Sequence, residues 1–114
     1  MADFVFMFRG GDPISSAEAR ANWPKWTAWF KRLADEGHVK SLGNPLEPAG
    51  KLVRGKGKAV TDGPFAEAKD VVNGFITVTA RNLEEAAEIA KGCPSLERDG
   101  AVEVRPVMQP VLPM

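Results

Sequence analysis

Cysteine is almost absent from this sequence of 114 residues, which contains only Cys93, so no disulfide can form within the chain. This usage suits a reducing compartment, and we expect a cytoplasmic protein. The context KGCPSL contains no nearby histidine, which favours a buried or incidental thiol over a nucleophile. The only histidine, His38, lies far from that cysteine and the acidic residues are scattered, so we predict no metal site and no cofactor.

Net charge and long apolar runs are absent as well. Fifteen Lys and Arg residues balance fifteen Asp and Glu residues, so nucleic acid and anionic membranes are not expected partners. No run approaches the roughly 20 apolar residues of a membrane span, and residues 4–8 are too short and wrongly flanked for a signal peptide. The composition, 44% apolar and 26% charged, predicts one globular domain over residues 1–114, with 108–114 as an apolar C-terminal tail.

Several segments have the composition or the alternation of β-strands. They are residues 4–8, 38–43, 51–55, 58–63, 72–80 and 101–107. The third and fourth face each other across Lys56-Gly57, which predicts a hairpin. Gly74, inside the fifth, predicts a β-bulge or a close approach of another backbone.

Two segments have helical patterns. Residues 17–36 contain Pro24, which predicts either a kink or a short helix followed by a longer one beginning near that proline. Residues 82–92 begin at a capping Asn82, with Glu85 at the reciprocal position of a capping box. The aromatic and aliphatic residues that fall on one side of the first helix are Trp26, Trp29, Phe30 and Leu33, and such a stripe is typical of a core.

The order of these elements is β, long α, β, hairpin, β, α, β. It predicts an α+β fold: a ferredoxin-like βαββαβ sandwich with a hairpin insertion, its two helices on one side of an antiparallel sheet. The other side of the sheet would then be uncovered. Since the apolar strands would form a large exposed patch there, we expect a second copy to cover it in a symmetric homodimer.

Four strings in the sequence resemble the DGPF-motif branch of the YCII-related proteins. They are KSLGNPLEP, VTDGPFAEAKDVVNGF, EEAAEIAKGCP and VEVRPV. The resemblance runs from about Phe4 to Val107, nearly the whole chain. It implies a dimeric α+β barrel built from ferredoxin-like halves, in agreement with the pattern of elements.

The resemblance implies a function only in outline. Some relatives in the wider group are regarded as small hydrolytic or dehalogenating enzymes with a His–Asp pair, and others lie beside sigma factors. By this resemblance Asp62 is the candidate catalytic acid. The histidine is expected on the first helix, where this chain has none, so His38, just past that helix, is the second candidate.

Asp62 has two interpretations from the residues alone. Asp-Gly-Pro forms turns, with the Asp side chain accepting backbone hydrogen bonds. Alternatively, a partly desolvated carboxylate beside a rigid turn and an aromatic residue has its pKa raised toward that of a general base.

Three hypotheses for function follow. One is a small-molecule pocket near Asp62, in a hydrolytic or lyase-type enzyme of the cofactor-free acid–base kind. Another is a non-catalytic regulatory or interaction module in a sigma-factor-linked pathway. The third, an oxygen-using cofactor-free enzyme, follows only by analogy with other dimeric α+β barrels.

Four further side chains are candidates for contact with a small-molecule ligand. Phe65 is a candidate floor of the pocket, or else a plug at the sheet edge or dimer seam. Arg54, on the hairpin, suits an anionic substrate group. Glu103 and Arg105 share one face of the last strand, either as a surface ion pair or partly buried inside a dimer barrel. We expect the pocket between the sheet and the helices.

Overall fold

The computed structural model describes residues 1–10, 16–47, 49–63 and 71–109, with the backbone alone for residues 16–19. The helices and strands in these ranges are β1 (Ala2–Gly10), α1 (Ser16–Asp35), β2 (Val39–Pro45), β3 (Gly50–Arg54), β4 (Ala59–Gly63), β5 (Val72–Ala80), α2 (Leu83–Ala90) and β6 (Gly100–Pro106). A 3-10 helix, Pro94–Arg98, joins α2 to β6. The predicted order of strands and helices is confirmed, and the 3-10 helix is an element that the sequence patterns missed.

Four strands form one antiparallel sheet in the order β2-β5-β1-β6. Each helix connects two strands that are separated in the sheet by one other strand, which is the split βαβ arrangement of a ferredoxin-like fold. Strands β3 and β4 form a separate two-stranded sheet. The predicted α+β class and its hairpin insertion are therefore confirmed.

The core lies between the four-stranded sheet and the helices. The buried residues of the two central strands are Phe4, Phe6, Phe8, Ile76, Val78 and Ala80. Trp29 of α1 is only 3% exposed and stacks at 6.4 Å from Phe6, while Trp26 meets Phe8 edge-on at 5.0 Å between ring centroids. Such aromatic pairs contribute about 0.5–1.5 kcal/mol beyond the area they bury, so this cluster fixes α1 on the sheet.

Helix α1 passes through Pro24 as one continuous element, so the alternative of two separate helices is wrong. Proline supplies no N–H for the carbonyl of Arg20, one turn earlier. The hydroxyl of Thr27 donates to the Pro24 carbonyl at 3.0 Å. Packing of the following aromatic residues on the sheet offsets the lost backbone bond. The core-facing stripe begins at Trp26, since Trp23 is 56% exposed.

Helix α2 begins as predicted, with one difference at its cap. The side-chain oxygen of Asn82 accepts a hydrogen bond from the Glu85 N–H at 2.8 Å. The Glu85 carboxylate does not complete the reciprocal bond with Asn82. It accepts instead from the backbone N–H of Arg81 at 3.0 Å and from its side chain at 2.6 Å. These bonds, the backbone one first, hold the pKa of Glu85 below its ordinary value.

Gly74 lies at both features predicted for it. The pairing of β1 with β5 shifts between Phe8 and Arg9, which leaves Asn73 as the extra residue of a β-bulge. A Cβ at Gly74 would lie 3.1 Å from the carbonyl oxygen of Asn44, so the neighbouring strand approaches closely as well. The glycine therefore lets β2 pass beside a bulged β5.

The hairpin of β3 and β4 is joined by residues 55–58, a loop of four residues that contains the predicted turn at Lys56-Gly57. Val53 and Val60 face each other across the two strands and are 63% and 57% exposed. The radius of gyration is 15.7 Å, larger than the roughly 13 Å of a compact chain of this length. Among the described elements, neither hairpin strand packs appreciably against any strand or helix other than its own partner, so the hairpin extends outward from the body of the molecule.

The chain continues beyond β6 along the first strand. The N–H of Val107 donates to the carbonyl of Asp3 at 2.9 Å, and Met108 is 86% exposed. The rest of the predicted apolar tail, residues 110–114, lies outside the described residues.

Candidate functional site

Four strand ends meet at one end of the sheet. They are the carboxyl ends of β1 and β2 and the amino ends of β5 and β6, because Gly10 pairs with Gly100 and Pro45 pairs with Gly74. The N–H of Gly10 also donates to the carbonyl of Val71 at 2.9 Å. Along the chain the hairpin strands β3 and β4 come between the carboxyl end of β2 and the amino end of β5, both of which lie at this end. We call this the hairpin end of the sheet.

The side of the sheet turned away from α1 and α2 is its open face. Its centre is apolar: Val5 pairs with Thr77, and Met7 pairs with Phe75. Phe75 is 37% exposed, and the other three are half-buried. In the described ranges, both helices pack on the opposite side, against the phenylalanines of β1. Among the residues that the structure describes, the open face therefore has no second layer over it.

A charged network lies on this face along the edge strand β6, from near the hairpin end to the middle of the sheet. Glu103 pairs with Met7 and Arg105 with Val5 across β1 and β6. Arg9 donates to one oxygen of the Glu103 carboxylate, and Arg105 donates to the other at 3.2 Å. These bonds, the one from Arg9 first, hold the pKa of Glu103 below its ordinary value. An ionised carboxylate thus holds two guanidinium groups in place.

The two outer members of this network differ in exposure. The side chain of Arg105 is 66% exposed, against 32% for Arg9 and 29% for Glu103. A guanidinium carries five N–H donors, so one bond to Glu103 leaves most of the donors of Arg105 without a partner on that carboxylate. Arg105 is therefore the group of the network that is best placed to meet a ligand.

This location differs from the predicted one, since the predicted pocket lies between the sheet and the helices. On that side β6 places Val102 and Val104, which pack against the core, so the alternating residues Glu103 and Arg105 face the other way. An apolar hollow of about 180 Å³ does lie between α2, the 3-10 helix and β6. Its lining is Ala87, Ala90, Lys91, Leu96, Val102 and Val104, and it includes none of the predicted site residues.

Asp62 lies on β4, directly opposite Lys51 of β3. The ammonium of Lys51 donates to the Asp62 carboxylate at 2.5 Å. The side chain of Asp62 is 85% exposed, and that of Lys51 is 68% exposed. The single chain therefore leaves this carboxylate in water beside a cation. Arg54, on the same hairpin, is exposed opposite Ala59. Phe65 lies outside the described residues.

His38 lies at the other end of the sheet. Its Nδ1 is 2.8 Å from the carbonyl oxygen of Thr79, and its own carbonyl accepts from the Thr79 N–H at 2.7 Å. Because a carbonyl can only accept, Nδ1 carries the hydrogen of this bond. About 17 Å of β5 separates Thr79 from Gly74 at the hairpin end. The described chain therefore does not bring His38 and Asp62 together as a dyad.

Arg9 is the member of the network that sequence reasoning missed. It follows the buried Phe8, so alternation along the strand already assigns it to the opposite side. Its role depends on the pairing of β1 with β6, which brings Glu103 within reach. That pairing joins residues more than ninety positions apart, and no local pattern encodes it.

Two negative findings concern only the part of the chain that the structure describes. Within it, no group of three His, Cys, Asp or Glu side chains is arranged to hold a metal ion. No helix among these residues has both the length and the apolar character needed to cross a membrane.

The fold and the open face define a class: a small ferredoxin-like α+β protein in which one side of the sheet is covered by helices and the other carries a charged network. A family model described as the YCII-related domain matches residues 4–110. The chain belongs to the YCII-related family, as the resemblance of its sequence strings predicted. Among curated protein sequences, none matches the chain.

Proposed function

We propose that this protein is a homodimer that binds a small anionic molecule at the open face, with Arg105 as the anchoring group. The observation that carries the proposal is the Arg9–Glu103–Arg105 network at the edge of an apolar sheet surface that no described element covers. Asp62 remains a candidate contributor from the hairpin end.

The apolar centre of the open face supports the homodimer. Burial of Val5, Met7, Phe75 and Thr77 removes apolar surface from water, which contributes about 25 cal/mol per Å². Two stacked sheets lie about 10 Å apart, so side chains from both fill the space between them. The dimeric barrel implied by the resemblance has this arrangement.

The exposed guanidinium supports an anionic ligand. Arg105 is held at one side by Glu103, and its planar fork of N–H donors matches a carboxylate or a phosphate in two parallel bonds. A second copy over the open face would exclude water from this space, and electrostatic attraction is stronger where water is excluded. The same enclosure would make the ligand site small and selective.

Several finer assignments stay predictions. They are membership of the DGPF branch, a cytoplasmic location, and a hydrolytic or lyase-type reaction with Asp62. The alternative, a regulatory or interaction module, predicts a protein that dimerises and binds none of the small anions.

Binding of small anions to a matched pair of variants tests the proposal. Isothermal titration with acetate, benzoate and inorganic phosphate is expected to show binding of at least one anion to the wild type. Arg105→Gln should weaken that binding at least tenfold, because the anchoring donors are lost. Arg20→Gln, which removes an exposed charge from α1, should leave it unchanged. Equal affinity in the two variants, or no binding by the wild type, would contradict the proposal.

A further inference from the structure

We infer that the hairpin of β3 and β4 is an arm that lies on a second copy of this chain and brings Asp62 to the partner's open face. The inference rests on the proposed homodimer and adds a specific contact to it. Four observations carry it: the side chains that share one side of the hairpin, their exposure, the place where the hairpin leaves the body, and its charge.

Register determines which side chains share a side of the hairpin. Val53 pairs with Val60, and Lys51 pairs with Asp62. Because side chains alternate along a strand, these four project from the same side, which we call the arm face. Thr61, one position from Asp62, projects from the other side. The arm face therefore combines an apolar pair with the ion pair that contains Asp62.

The arm face has little support from its own chain. Both valines are more than half exposed, although a cross-strand valine pair normally stabilises a sheet by burial. An isolated two-stranded hairpin is at best marginally stable in water. A surface that covers Val53 and Val60 would stabilise the hairpin.

The hairpin leaves the body at the hairpin end of the sheet, the end at which Arg9 and Glu103 lie. Five residues per strand give the arm a length of about 17 Å, whereas a copy stacked on the open face lies only about 10 Å away. A partner that covers the open face is therefore within reach of the tip of the arm, and Asp62, one position from its base, would meet the part of the partner nearest the hairpin end.

Charge favours the same partner. Residues 50–63 contain four cations, Lys51, Arg54, Lys56 and Lys58, and one acid, Asp62, for a net charge of +3. The chain as a whole is neutral, so the remainder carries −3. A second copy thus presents the opposite net charge to the arm, and this attraction weakens as salt screens it.

The consequence concerns Asp62. Its side chain is 85% exposed in the single chain, but it projects from the arm face and is covered when that face meets the partner. The ligand site then contains Asp62 from one copy and Arg105 from the other. This explains why the described residues of one chain do not assemble the predicted site.

Two neighbouring positions on opposite sides of β4 provide the test. Val60→Asp places a charge on the arm face, whereas Thr61→Asp places the same charge on the other side of the hairpin. The dimer dissociation constant of each full-length variant is measured by sedimentation velocity, with circular dichroism to verify the fold. Val60→Asp should raise that constant at least tenfold. Thr61→Asp should raise it by no more than about threefold, because its only effect on the arm is to lower the net positive charge by one.

The outcomes separate the two proposals. A wild type that sediments as a monomer overturns both the homodimer and the arm. A dimeric wild type whose two variants dissociate alike overturns the arm alone. Arm variants that keep the dimer but lose binding to a double-stranded DNA oligonucleotide would assign the basic hairpin to nucleic acid and also overturn the inference.

Discussion

The two sides of β1 differ in chemistry although they belong to the same nine residues. Phe4, Phe6 and Phe8 on one side are buried beneath the helices, whereas Val5 and Arg9 on the other are only half-buried. The chain itself covers the first side, where the three phenylalanines are no more than 7% exposed. The second has an apolar centre and a charged network but no covering layer among the described elements. The chain thus completes its own fold on one side of the sheet, and in the proposed dimer the other side is left for a partner.

The largest expected effect separates the two sides directly. Phe6→Ala removes a fully buried ring and should lower the free energy of unfolding by about 3–5 kcal/mol, since the helices hold the cavity open. Phe75→Ala, on the open face, should cost only about 1–2 kcal/mol in the monomer, because this residue is already 37% exposed. Urea unfolding at low protein concentration measures both. Equal costs would mean that the two sides do not differ as described.

The second prediction concerns the backbone of the edge strand. Gly43 has φ +55°, and a Cβ there would lie 2.0 Å from the carbonyl oxygen of Phe75, so Gly43→Ala forces β2 away from β5. Gly37 has φ +79° but open space around it. Gly37→Ala should therefore lower the free energy of unfolding only by the strain of holding an alanine in the left-handed conformation, about 1–2 kcal/mol. Gly43→Ala should exceed that loss by at least about 1 kcal/mol. A smaller loss at Gly43 than at Gly37 in urea unfolding would refute the close approach.

A third prediction tests α2 on the covered side. Asn82→Ala removes the side-chain oxygen that accepts from the Glu85 N–H, and should cost about 1 kcal/mol of stability. Asn82→Ser keeps an oxygen at the cap and should restore most of that loss. Thermal unfolding compares the three proteins, and an alanine variant as stable as the serine variant would show that the cap does not stabilise the helix.

The smallest predicted effect lies on the open face and depends on pH. The pKa of Glu103 is lowered in the folded state, so its ionised form stabilises the fold above the unfolded-state pKa, near 4.5. That stabilisation is lost as the pH falls below this value toward the folded-state pKa. In urea unfolding between about pH 6 and pH 3, Glu103→Gln should reduce the loss of stability with acid.

The two arginines of the network give this prediction its control. Arg9→Gln should reduce the acid dependence more than Arg105→Gln, because the hydrogen bond from Arg9 lowers the pKa of Glu103 the most. Wild type and Glu103→Gln with the same acid dependence would contradict the proposed pairing.

Local signals in the sequence predicted the features that neighbouring residues determine. The cap at Asn82 and the bulge at Gly74 depend on a few adjacent positions, and the structure agrees with both. The continuity of α1 through Pro24 was not predictable in this way, because packing of distant strands against Trp29 decides it. Tertiary packing overrides a local preference there.

The candidate site was harder to predict for the same reason. Glu103 was found as a charged residue on one face of the last strand, but its partner Arg9 depends on a strand pairing that spans most of the chain. The 17 Å or so between His38 and the hairpin end follows from register, which composition does not reveal. In the proposed dimer, the surroundings of Asp62 depend further on a second copy, which no single-chain pattern describes.

The central claim is that a second copy covers the open face, and sedimentation equilibrium of the full chain tests it most directly. The chain has a mass of 12.3 kDa, and we predict that the wild type sediments with twice that mass. Met7→Asp, which places a charge at the centre of the open face, should sediment at the single-chain mass and keep its circular dichroism spectrum. A wild type that sediments at 12.3 kDa throughout, or a Met7→Asp variant that dimerises as tightly as the wild type, would contradict the claim.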